Sequence, residues 1–145
     1  MSEPTQTYEN HVRYHPPFHF VLFPLVLLNL IWSLVSLWRE PGLDTTKDLL
    51  VALLLGIVGF LARGSALKVQ DRVIRLEEQL RYQRLLPADL AARAAALKIG
   101  QMVALRFASD EELPGLVQQT LEGKFATVKD IKLAIKQWRG DYLRV

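Results

Sequence analysis

Cysteine is absent from the 145 residues, which excludes disulfides and every thiolate-based metal or redox site. Charge is absent from a long internal stretch: Phe18 to Trp38 contains no Lys, Arg, Asp or Glu. A water-soluble surface helix of that length would need a polar face, so an ordinary amphipathic helix is excluded there. Missing as well are a Gly-rich phosphate loop, a nucleophile elbow and a zincin helix, the local patterns that carry phosphate binding, acyl transfer and zinc hydrolysis. The formal net charge is only +3 despite a pI near 9.3, too small a surplus to point to nucleic acid. The sequence therefore identifies no nucleic-acid partner, cofactor, small-molecule substrate or catalytic residue, and the expectation is a protein that is not an enzyme.

What is present is segregated. Half of the chain is apolar while 23% is charged, and the charges recur every few residues from Gln70 onward. Phe18–Trp38 reads FHFVLFPLVLLNLIWSLVSLW, 21 residues of which fourteen are Leu, Ile, Val or Phe. About 20 helical residues cross a hydrocarbon core, and these side chains favour insertion by about 4–8 kcal/mol. Pro24 stands in the first turns, where a missing backbone donor does least damage. The run is too long for a cleaved signal peptide and lacks a small-residue cleavage site. A second apolar stretch, LLVALLLGIVGFLARGSAL, ends near Leu67 with Arg63 as its one charge, close enough to the end to reach the headgroups.

The expected fold class is all-α: a two-span transmembrane hairpin, with spans at about 18–38 and 47–67, whose second span continues into a long cytoplasmic helix followed by three or four short helices. The organisation divides into an N-terminal segment 1–17, the hairpin 18–67, a juxtamembrane helix 68–86 and a helical region 87–145. The short linker Arg39–Asp48, with Pro41-Gly42 as its turn signal and Asp44 or Thr45 as helix N-cap, forces the two spans antiparallel. It carries two cations against three acids, whereas Lys68, Arg72, Arg75, Arg81 and Arg84 follow the second span. That excess places both termini on the cytoplasmic side.

Asn29, Ser33 and Ser36 recur at helical spacing on the first span, and Ala52, Gly56 and Gly59 on the second; small residues let membrane helices approach, and hydroxyl and amide groups then bond across the contact. Beyond the membrane Val69, Val73, Leu76 and Leu80 form a heptad a/d seam. It either pairs with another copy or is covered by the chain's own C-terminal helices, the opposite Arg-, Glu- and Gln-rich face being solvated. Leu85-Leu86-Pro87 makes a corner; the Ala-rich run beyond it is strongly helical, with Gly100 as its break. Ser109/Glu112 and Thr127/Asp130 are capping boxes, the first opening a helix that ends near Gly123. The last helix, over 128–142, presents an apolar stripe (Val128, Ile131, Ile135, Trp138, Tyr142) beside a basic one (Lys129, Lys132, Lys136, Arg139). It either lies on anionic headgroups or packs into a bundle. His11, His15 and His19 are spaced for one helix face and form the only candidate metal cluster. Pro16 and Pro17 oppose a helix at the residues before them, and no Cys or carboxylate completes the set.

Three motifs carry a resemblance: Tyr8-x-Asn10-His11-x-Arg13-Tyr14-x-Pro16-Pro17, Ala104-Leu105-Arg106-Phe107-Ala108-Ser109-Asp110-Glu111-Glu112-Leu113-Pro114, and Ile131-Lys132-x-Ala134-Ile135-Lys136-x-Trp138-Arg139-x-Asp141-Tyr142. Over nearly its whole length the chain resembles a family of small bacterial two-span proteins of unknown function. The resemblance implies an inner-membrane setting and brings no activity. The motifs are richer in polar and aromatic groups than packing requires, which suggests a shared partner or lipid. The functional expectation is a non-catalytic inner-membrane protein, an oligomeric scaffold or accessory subunit whose partners are membrane lipids and a second copy or another membrane protein. The alternative is a lipid-sensing module acting through Lys129, Lys132, Lys136, Trp138 and Arg139.

Overall fold

A computed structural model describes residues 6–11 and 14–142; Arg13 of the opening motif lies outside the described residues. Among them the protein is all-α, with six α-helices and one isolated antiparallel bridge. Two units emerge, residues 14–68 and residues 6–11 with 69–142.

The first unit is a helical hairpin. It opens with a π-helical turn, Pro17–Leu22, which leads directly into α1 (Phe23–Arg39). The two prolines do not delay the helix: Pro16 already has helical dihedrals, and the His15 carbonyl accepts from the amides of Phe18 and His19. Proline costs nothing in a first turn, where its missing donor would be unpaired anyway. The wide turn falls just before Pro24, and Phe23 donates to the Phe18 carbonyl five residues back. Such a turn is a common accommodation of an interrupted helical ladder.

After Glu40–Gly42 the chain enters α2 (Leu43–Leu85). The start lies one or two residues before the expected cap. Gly42 precedes the helix, and the Thr45 hydroxyl accepts from the Gly42 amide at 3.1 Å while donating to the Glu40 carbonyl at 2.9 Å. Thr45 thus pins the turn from inside the helix.

The helices meet where a side chain of α1 lies on a glycine of α2. A Cβ at Gly56 would stand 3.6 Å from Val26 Cγ1, and one at Gly59 would stand 3.6 Å from Leu22 Cδ2. Ser33 and Ala52 are buried, Ser36 is half-buried and Asn29 is exposed. The contact on this side therefore runs through Leu22 of the π-helical turn and Val26 and Ser33 of α1, with Asn29 left exposed. Ser33 donates to the Asn29 carbonyl of its own helix at 2.9 Å rather than across the contact, because a helical serine reaches the carbonyl four residues back without strain.

The second unit builds a core from α2's final turns and four short helices: α3 (Ala88–Ala94), α4 (Ile99–Leu105), α5 (Leu113–Leu121) and α6 (Val128–Ala134). Tyr82, Met102, Leu105, Phe107, Leu113, Val117 and Ile131 are its largest fully buried side chains. The corner at Pro87 forms as expected, but the Ala-rich run breaks over 95–98, ahead of Gly100. Gly100 lies inside α4 instead, where a Cβ would come 3.3 Å from Val128 Cγ2 of α6; its role is close helix approach. Gly123 ends α5 at φ +74°, with Gly123 and Lys124 donating to the carbonyls of Thr120 and Gln119, a left-handed cap that glycine enters without strain. The Thr127/Asp130 box forms in both directions, at 3.2 and 2.8 Å.

The last helix is shorter than its amphipathic pattern. α6 stops at Ala134, and Ile135 is extended. The amides of Lys136 and Gln137 donate to the Glu112 carboxylate at 3.2 and 3.0 Å, and Arg139 donates to the Phe107 carbonyl at 2.7 Å. These acceptors replace the carbonyls of the preceding turn, and the 3.6-residue stripe from Val128 to Tyr142 does not form.

Gly56→Ala should leave thermal stability in mild detergent unchanged or slightly raised, since the new methyl finds ordinary contact and alanine gains up to about 1 kcal/mol of helix preference. Gly56→Phe should lower it by forcing the helices apart. A loss on Gly56→Ala comparable to that on Gly56→Phe would show that the contact is tighter than described.

Candidate functional site

The middle and closing motifs meet the start of the opening motif in the second unit, while Tyr14, Pro16 and Pro17 belong to the first. Antiparallel pairing joins Ala108 to Trp138, with Ser109 donating to the Gln137 carbonyl at 3.0 Å. Phe107 and Trp138 rings stack with centroids 4.9 Å apart, and His11 leans on both at 5.7 and 5.6 Å. His11 Nδ1 lies 2.6 Å from the Tyr8 carbonyl and its Nε2 lies 3.0 Å from Lys132 Nζ. A lysine ammonium only donates, so this arrangement requires the neutral imidazole with its proton on Nδ1. Gln6 zips onto the backbone of Asp141, accepting from its amide at 2.9 Å and donating to its carbonyl at 3.2 Å.

At the centre is an ionic network that the sequence pattern concealed. Arg81 has a side chain only 4% exposed. Its Nε and Nη2 donate to Asp110 Oδ1 at 2.9 and 2.6 Å, and Nη2 also donates to the Ala108 carbonyl at 2.7 Å. Its Nη1 reaches the Arg106 carbonyl at 3.4 Å and Glu78 Oε2 at 3.5 Å. Arg106, itself buried, pairs with Asp141 at 3.0 Å and lies over the Phe107 ring at 4.5 Å. Arg84 completes the group, 3.6 Å from Asp110.

The face of α2 expected to be solvated is thus the one that is buried: Ile74, Glu78, Arg81 and Tyr82 are all covered. Burial outside a hydrocarbon core is tolerable for Arg81 because backbone carbonyls and a carboxylate replace its water. A cleft of about 730 Å³ opens beside the network, lined by Glu78, Arg81, Arg84, Arg106, Arg139 and Asp141. Three of these four arginines already face carboxylates, and Glu77 and Leu80 of α2 extend the lining.

Glu78 and Asp110 titrate in opposite directions. Burial pushes the Glu78 carboxyl above its ordinary value, outweighing the attraction of Arg81. The hydrogen bonds from Arg81 hold Asp110 below its own. Burial likewise raises the Tyr82 phenol, whose hydroxyl has no hydrogen-bond partner among the described residues.

The other sequence-derived candidates lie as follows. Val69, Val73, Leu76 and Leu80 are exposed, so the C-terminal helices do not cover the seam; they pack on the opposite face. Lys129 is exposed and Lys132 half-buried on α6, while Lys136 and Arg139 lie beyond its end, and Trp138 is half-buried among the aromatics. The motif polarity is therefore largely spent on contacts within the unit itself. At the hairpin entry the His19 ring Nδ1 lies against the backbone of His15, 3.1 Å from its amide and 3.0 Å from its carbonyl, whereas His11 belongs to the other unit. Among the described residues no three of His, Asp or Glu lie close enough together to hold a metal ion. Glu112 serves the 136–137 backbone, while the Ser109 hydroxyl accepts from the Glu112 amide at 3.2 Å, so only half of that capping box forms.

A family model described as "Family of unknown function (DUF6526)" matches residues 1–145. No curated protein and no solved structure matches the chain.

Two substitutions test the network. Arg81→Ala should cost about 3–5 kcal/mol by stranding buried partners, and Asp110→Asn about 1 kcal/mol at pH 7, the smaller figure because Asp110 is half exposed. A depressed carboxyl stabilises the fold above its unfolded value and loses that contribution as pH falls through the native one, so the Asp110→Asn deficit should shrink progressively as pH falls below the ordinary value of 3.8. For Glu78 the sign reverses. The native state holds the proton more tightly, so its contribution is complete below the ordinary value of 4.5 and is lost as pH rises through the native pKa. Glu78→Gln should therefore match the wild type at pH 4 and equal or exceed it at pH 8 in thermal unfolding; a deficit confined to pH 8 would contradict this account.

Proposed function

We propose that this chain, which belongs to the family of unknown function DUF6526, is a non-catalytic two-span protein of the inner (cytoplasmic) membrane that acts as a scaffold or accessory subunit. It presents its C-terminal helical unit in the cytoplasm. One observation carries the membrane setting. Pro17–Arg39 and Leu43–Leu85 are each long and apolar enough to cross a membrane, yet their apolar side chains are barely covered by protein: Phe20, Leu28, Trp32, Leu54, Val58 and Phe60 are all exposed. In water each such side chain forfeits about 1.5–3 kcal/mol of burial. Over two helices the sum reaches tens of kcal/mol, far beyond the roughly 5–15 kcal/mol that holds a domain folded. Lipid removes the conflict. The cation excess following Lys68 supports cytoplasmic termini.

The scaffold reading draws on the chemistry of the second unit. Its ionic and aromatic groups bind one another and its own backbone. The lipid-sensing alternative has less support, because the continuous basic helix that it requires ends at Ala134.

The lack of cysteine makes single-cysteine mapping clean. Alkaline carbonate should leave the chain in the membrane pellet. In intact cells an impermeant maleimide should label Asp44→Cys but not Lys124→Cys until the membrane is permeabilised. Release by carbonate would end the membrane reading; the opposite labelling pattern would invert the topology.

A further inference from the structure

α2 is two-faced over one short stretch. On one side Ile74, Glu78, Arg81 and Tyr82 are at most 5% exposed. On the other, Val69, Val73, Leu76 and Leu80 are 60, 47, 61 and 68% exposed. At 3.6 residues per turn these two rows lie on opposite sides of the helix. The chain's own core therefore covers one face and leaves an apolar seam of spacing 4, 3, 4 largely exposed, with Leu80 at the edge of the arginine-lined cleft.

We propose that this seam is closed by the same seam of a second copy, forming a parallel, in-register two-stranded coiled coil over 69–80. The flanking charges select that occupant. With Val73 and Leu80 at a and Val69 and Leu76 at d, Arg72 falls at g and Glu77 at the following e. In a parallel pair, g of one helix faces the next e of its partner, so Arg72 meets Glu77 of the second copy, and the symmetry makes the pair twice. An antiparallel pair brings g against g and e against e, which sets arginine against arginine. Arg72 and Glu77 are both exposed and lie outside the buried core, Glu77 on the rim of the arginine-lined cleft. The parallel sense rests on the membrane reading, since two copies inserted alike must run in the same direction.

Single cysteines in the full-length chain, oxidised in native membranes, test this. Facing a or d residues of a parallel pair come within the range of about 4.4–6.8 Å between Cα atoms that a disulfide accepts. Val69→Cys, Val73→Cys and Leu80→Cys should each give disulfide-linked dimer several-fold above Arg75→Cys, which is exposed on a different side of the helix. Cross-linking at Val73→Cys without Val69→Cys and Leu80→Cys would indicate an antiparallel pair and overturn the proposal. Yields no higher than that of Arg75→Cys at all three positions would overturn it too. Glu77→Arg on the Val73→Cys background should lower the yield several-fold, and adding Arg72→Glu should restore it; failure of the double swap to restore it counts against the charge-selected register. Carbonate extraction of the same membranes separates the two readings. A chain retained in the pellet without cross-links loses only the dimer, and a chain released yet cross-linked loses only the membrane anchor.

Discussion

Arg81 is the group on which the second unit turns. Its guanidinium emerges from α2, yet its acceptors belong to the segment that links α4 to α5: the Arg106 and Ala108 carbonyls and the Asp110 carboxylate. Those carbonyls would otherwise be buried without donors, a cost of about 1–3 kcal/mol each. One side chain thus satisfies a turn that has left the helix and ties it to α2. With the turn held there, Phe107 carries its own carbonyl to Arg139 and its ring to Trp138 and His11, which draws the opening and closing motifs onto the middle one.

Glu112 exerts the matching influence on the closing segment. By taking the amides of Lys136 and Gln137 it supplies an acceptor outside the helix at the point where α6 would otherwise continue. Competition for backbone donors decides the end of a helix as firmly as a proline does. Here it converts a basic amphipathic pattern into a short helix and an extended strap, and it moves Trp138 from a lipid-facing position on paper into an aromatic stack.

The two faces of α2 show how far pattern reading reaches. The 4, 3, 4 spacing of Val69, Val73, Leu76 and Leu80 is visible because four apolar residues stand on one side. The Ile74, Glu78, Arg81, Tyr82 row is the one that the core occupies, and it reads as solvent-facing because two of its four members are charged. Only the nearby carbonyls and carboxylate make burial of those charges affordable, and these come from residues about 25 to 29 positions away. Gly100 is a similar case: a glycine in an alanine-rich run reads as a break, whereas its use is to let α4 approach Val128.

What the amino-acid order determined unaided is everything governed by local chemistry: two apolar helical stretches joined by a Pro-Gly turn, the corner at Pro87, the stop at Gly123 and the Thr127/Asp130 box. Each depends on neighbours within a few residues, so its physics is complete in the local string. What only the tertiary structure decided is where buried polar groups find partners: Arg81 with Asp110, Arg106 with Asp141, Glu112 with a distant backbone, Gln6 with Asp141. Hydrogen bonds and ion pairs of that kind are short-ranged in space but unconstrained along the chain, and no periodicity announces them.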